Sequence, residues 1–141
     1  HLTPMRQRLP VFLAALWWGS LSTLGFMVVP MLFAVLPTPA MAGGMAAKLF
    51  TAQTWLSMAC TLILLMLSRS KQGSVLIGQA QAATIFIAFG FLAAVLVEFA
   101  ISPHIVAREN LKLWHGLGSA LYLLQWLAAG ATLWKVSAQR V

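Results

Sequence analysis

Four long stretches of this chain carry no charged side chain: Leu9–Ala47, Leu49–Ser68, Gln72–Val97 and Leu113–Trp134. About 20 apolar residues suffice to carry a helix across a bilayer. The first stretch is interrupted by Pro37-Thr38-Pro39, which reads as a tight turn between two helices. Helices are therefore expected near 9–36, 40–68, 74–102 and 109–135. The intervening loops are short, so sequential helices should be antiparallel neighbours. The expected fold is an all-α integral membrane protein, a single-domain bundle of four transmembrane helices over residues 1–141.

Composition agrees. Hydrophobic residues make up 61% of the chain and charged residues 8%, against about 25% charged in a soluble domain. A net charge of +7 would point to nucleic acid in a soluble protein. Here the nine cations stand at the ends of apolar runs, which marks membrane topology instead. The expected partner is the lipid bilayer, with no nucleic acid. The single cysteine, Cys60, excludes an internal disulfide and a CxxC motif, and reads as a small packing residue.

Orientation follows from the cations. Arg6, Arg8, Arg69, Lys71, Lys135 and Arg140 fall on one side; Lys48, Arg108 and Lys112 fall on the other. The positive-inside rule then places both termini and the 69–73 loop in the cytoplasm. Ala40-Met41-Ala42 resembles a signal cleavage site, but the apolar run before it is far longer than a signal core, so the segment is read as the first helix. His1–Pro4 precede Met5, which looks like a natural start; His1 is read as an added remnant or as native, and carries no function either way.

The chain also reads as two diverged helix hairpins. Phe26-x-x-x-Pro30 recurs as Phe99-x-x-x-Pro103, and Lys48-Leu49-Phe50 as Lys112-Leu113-Trp114. Both hairpins start on the same side, so the repeat would be parallel. Pro30 should kink the first helix and free a carbonyl near Phe26.

Polar side chains inside a bilayer are costly and often functional. Of the two acids, Glu98 lies about a turn before Pro103, and its expected partners are Lys48, Arg108, Lys112 or His115. It reads either as a proton or metal-ion site or as a charge pair locking three helices; the nearby cations favour the pair. In the fourth helix His115, Ser119, Tyr122 and Trp126 recur at helical spacing beside Gln125 and should face the bundle. Gly116 and Ala120 form a small-xxx-small pair that permits close helix contact. His115 could ligate a metal or haem. Met27 and Met31, Met41 and Met45, with His104 and His115, supply thioether and imidazole at one end of the bundle, the donor set that suits Cu(I). The competing reading is that these methionines are apolar filler. Trp17, Trp18, Trp114 and Trp134 are expected as interfacial anchors, with Trp55 and Trp126 deeper. No phosphate-binding glycine loop, HExxH, nucleophile elbow or pair of intramembrane carboxylates occurs, and no enzymatic activity is expected.

The run Gly25-Phe26-Met27-Val28-Val29-Pro30-Met31-Leu32-Phe33, with Ala42-Gly43, Lys48-Leu49-Phe50 and Trp114-His115-Gly116-Leu117-Gly118-Ser119, resembles a bacterial membrane family of unknown function related to eukaryotic transmembrane protein 205. That family is similar in turn to CopD-type copper-resistance and HemJ-type haem-synthesis membrane proteins. The resemblance implies a four-helix membrane protein that handles soft metals. The chain departs from the HemJ pattern: its first helix has no histidine, and Met31 follows Pro30 where an arginine is expected. The leading functional expectation is handling or sensing of copper at the periplasmic side. The alternatives are an accessory subunit of a larger membrane complex, or a homo-oligomer, and a haem-binding redox protein.

Overall fold

The computed structural model describes residues 3–69 and 77–138. Six α-helices follow in order: α1 Thr3–Thr23, α2 Val29–Val35, α3 Pro39–Arg69, α4 Ile77–Leu96, α5 Ser102–Val106 and α6 Leu111–Ala138. Two π-helical segments, Leu24–Val28 and Val97–Ile101, fuse α1 to α2 and α4 to α5. The result is four rods long and apolar enough to cross a membrane, Gln7–Val35, Pro39–Ser68, Ala83–Val106 and Leu111–Ala138. The first rod begins at Thr3, ahead of the expected 9, and the third runs on through Pro103 to Val106, beyond the expected 102. The expected start of that rod at 74, with Lys71, Arg140 and His1, lies outside the described residues.

Both π segments have the same cause. A proline inside a helix lacks the N–H and its ring clashes with the carbonyl four residues back. Pro30 and Pro103 confront Phe26 and Phe99 in this way. In each rod the residue before the proline donates one position further back than an α-helix allows: Val29 N–H to the Leu24 carbonyl, and Ser102 N–H to the Val97 carbonyl. The extra residue relieves the clash without breaking the rod.

The first rod has a further reason to widen. The Tyr122 hydroxyl donates to the Leu21 carbonyl at 2.6 Å, the acceptor that the Gly25 N–H uses in an α-helix. Only glycine allows this approach, since a Cβ on Gly25 would lie 2.7 Å from the tyrosine ring.

The rods form an antiparallel ring. The first packs on the second and fourth, and the third likewise. Trp17 meets Gln125, and Ser22 meets Trp126, along the first and fourth rods. Trp17, Leu21, Cys60, Leu64, Ala83, Ile87 and Ala129 make the core, all in the half that contains residues 3, 69, 77 and 138. Trp17 crosses the ring diagonally: a Cβ on Gly90 would fall 2.3 Å from its indole. This corrects the interfacial expectation for Trp17, which is fully buried. The missing side chain at Gly90 makes the room, and Gln125 accepts the indole N–H. Trp55, expected to lie deeper, is instead 57% exposed, because α3 turns Gln53, Thr54 and Ser57 inward. Cys60 is buried as expected.

The opposite end, carrying both prolines, is thin. Neither α2 nor α5 buries a residue. The α5–α6 turn is closed by Glu109 N–H to the His104 carbonyl and Arg108 N–H to the Ile105 carbonyl, a Schellman pair. Arg108 occupies the left-handed position (φ 58°) that usually goes to glycine.

Candidate functional site

The polar groups of the packed half satisfy one another. Gln53 donates to Ser20 at 3.0 Å and Ser57 at 3.2 Å. Trp17 donates to Gln125 at 3.2 Å, and Trp126 to Ser22 at 2.7 Å. Among the described residues no buried side-chain nitrogen or oxygen lacks a partner. This belt closes the middle of the bundle.

The proline end differs. An open groove of about 490 Å³ runs between α3 and the third rod, lined by Lys48, Thr51, Glu98, Ser102, Pro103 and Val106 among others. Glu98 is half-buried, and its Oε1 accepts the Thr51 hydroxyl at 2.9 Å. The ion pair expected from sequence is not formed. Among the described residues the salt bridge is His104 Nδ1 to Glu109 Oε2 at 2.9 Å. Lys48 and Lys112 are both exposed. Thr51, three residues beyond Lys48 on α3, carries the inward side of that stripe, so a short hydroxyl reaches Glu98 while the ammonium turns outward. Lys48 still lines the same groove. Ser102, also half-buried, adds a hydroxyl beside it.

The π segment adds an oxygen. The Glu98 carbonyl would be served by Ser102 in an α-helix or by residue 103 in a π-helix. Ser102 is committed to Val97, and residue 103 is proline. The carboxylate and the main-chain carbonyl of Glu98 thus both lack a full complement of donors within the rod.

His115, expected to face the bundle, is exposed near the start of α6. There the inward side is taken by Gly118, which sits against Ile101 and Ile105. Ser119, Gly116 and Ala120 are likewise outward, so the small pair at 116 and 120 opens to lipid instead of to a neighbouring helix. Of the expected stripe, Tyr122, Gln125 and Trp126 do turn inward. His104 stacks on Trp114 at 4.0 Å and spends Nδ1 on Glu109. Met27, Met31, Met41 and Met45 are each about half exposed, at 53%, 57%, 53% and 47%. Among the described residues no three His, Cys, Asp or Glu side chains lie together as a metal site would require.

Sequence reasoning missed Thr51 and Ser102. The signal for Thr51 was its spacing from Lys48; for Ser102 it was its place directly before Pro103. The hairpin repeat survives in part. Phe26 and Phe99 hold the middle places of the two π segments, and Pro30 and Pro103 follow two residues after each segment ends. Each π segment meets a hydroxyl from the other hairpin, Tyr122 at Gly25 and Thr51 at Glu98. The lysine motif does not match, since Lys48 lies well inside α3 and Lys112 opens α6.

These features define a multi-pass, four-helix membrane protein with a polar groove at its proline end. The family described as a domain of unknown function (DUF4149) matches residues 12–112, and the chain belongs to it. No curated protein matches the sequence, and no solved structure does.

Proposed function

We infer that this protein is an accessory subunit, packing in the bilayer beside a second membrane-spanning chain or a copy of itself. One observation carries the reading. The outward side of α1 is an open trough of about 390 Å³ along Ala15, Leu16, Gly19, Ser20, Thr23 and Val28. A Cβ on Gly19 would touch nothing, while Ser20 and Ser22 on the same helix serve internal bonds. Small residues on an open face let a second helix approach closely, which is the main source of association between helices in lipid. The cation distribution supports an inner-membrane orientation with both termini in the cytoplasm.

Native mass spectrometry in mild detergent tests the reading. Wild type should retain an assembly larger than one chain, and Gly19→Leu should release the monomer without lowering thermal stability. A wild-type monomer under every mild condition would defeat it.

Soft-metal handling is a second reading, supported by the resemblance to transmembrane protein 205 and CopD-type proteins and by one geometric fact. Met27, Met31, Met41 and Met45 flank the 36–38 turn with half-exposed side chains, so their thioethers are open to an ion arriving at that end. This reading now rests on the methionines and not on His115. Competition for Cu(I) against a chromophoric chelator should weaken in Met27→Leu/Met31→Leu; unchanged competition removes it.

A further inference from the structure

We propose that the Lys48–Glu98 groove is a binding site for a zwitterionic phospholipid whose head carries a primary ammonium, of the phosphatidylethanolamine type. The membrane-crossing part of the third rod, Ala83–Val106, is about 36 Å long at 1.5 Å per residue, and a hydrocarbon core is about 30 Å. Glu98 stands about 12 Å inside the Val106 end. A centred rod therefore puts its carboxylate roughly 9 Å below the hydrocarbon boundary. Lys48 lies a similar distance inside the Pro39 end of α3. The groove that holds both runs upward past Ser102 and Pro103 to Ala107, at the end of the rod. It therefore opens where lipid heads are.

Charge selects the occupant. A groove with an ammonium on one wall and a carboxylate on the other complements a head that carries both signs. Lys48 is exposed and without a carboxylate within 4.0 Å among the described residues, free to meet a phosphate. On the opposite wall stand the Glu98 carboxylate, whose Oε1 alone is bonded to Thr51, the Ser102 hydroxyl, and the Glu98 carbonyl that Pro103 leaves without a donor. A primary ammonium has three donors to place. A quaternary ammonium has none, and an anionic glycerol head has no cation to offer Glu98. The acyl chains would lie on the apolar helix surfaces that the bundle already turns to lipid. This site lies apart from the α1 trough and does not depend on what packs there.

The test uses the full chain in detergent micelles, titrated with phosphatidylethanolamine, phosphatidylglycerol or phosphatidylcholine and read as lipid adducts by native mass spectrometry. Phosphatidylethanolamine should bind about tenfold more tightly than either of the others, a difference of about 1.4 kcal/mol. Glu98→Gln and Lys48→Gln should each abolish that preference while leaving thermal stability unchanged. Ser102→Ala should reduce it several-fold, and this milder variant keeps the question open to test if Glu98→Gln fails to insert. Equal adducts with all three lipids overturn the proposal. So does a preference that survives Glu98→Gln, or binding of free phosphoethanolamine with no lipid adduct.

Discussion

The two halves of this bundle are built on opposite terms. In the half holding the chain ends, large side chains interlock through missing ones. Trp17 lies over Gly90, the Trp18 indole edge lies 2.9 Å from where a Gly130 Cβ would stand, and among the described residues each buried side-chain nitrogen and oxygen is matched. In the proline half, α2 and α5 bury nothing, Gly43, Gly44 and Gly116 have open space around them, and an ionisable pair faces an open groove. Tyr122 sits at the border, with its hydroxyl wedged into the first rod where the π segment begins. The lesson is that rigidity and availability are separated along the membrane normal. The packed half fixes where the rods stand, and the open half keeps the groups that can meet something else.

The sharpest way to break this comparison is a matched pair of glycine substitutions. Gly90→Val should cost about 3 kcal/mol by forcing Trp17 out of its place, read as a lower midpoint in SDS titration of mixed micelles. Gly43→Val in the open half should change stability by less than about 0.5 kcal/mol. Equal effects would mean the halves are not mechanically distinct.

Polar deletions give the next contrast. Gln125→Leu orphans the buried Trp17 N–H and should cost about 2 kcal/mol. Thr51→Val removes a half-exposed bond to Glu98 and should cost well under half of that. Nearly equal losses in the same unfolding assay would contradict the division.

At the border, Tyr122→Phe removes the hydroxyl's bond to the Leu21 carbonyl and leaves that oxygen wholly to the helix ladder. A net loss of about 1 kcal/mol is expected, with slower hydrogen exchange at the Gly25 amide. Faster exchange there would show that the hydroxyl stabilises the widened turn instead of displacing its ladder bond. The smallest effect is a gain: Arg108→Gly relieves a left-handed residue in the open half and should add roughly 0.5–1 kcal/mol. Thermal scanning in detergent would detect it, and a loss would indicate that the arginine side chain makes a contact that matters.

The length and spacing of the apolar runs determined that this chain crosses a membrane four times, with outer turns near 37–39 and 103–108, because those runs admit no other solvent. The Phe-x-x-x-Pro spacing marked where both odd rods would be disturbed, since a proline always confronts the carbonyl four residues back. Glu98 was legible as an exceptional residue for the same reason: a carboxylate at that depth is costly anywhere. Which side of each helix turns inward was not legible. In lipid an apolar face is satisfied both inside and outside the bundle, so periodicity loses its force. It placed His115 inside, where it is not, and the interfacial habit of tryptophan placed Trp17 at the surface, where it is not. Only the tertiary structure decided these, through interlocking shapes that have no signature along the chain. An indole needs a glycine seventy-odd residues away, and a tyrosine hydroxyl needs a glycine on another rod to enter its ladder. The same holds for Thr51 and Ser102, ordinary residues that become the walls of a groove only when two helices from different hairpins bring them to one level of the membrane.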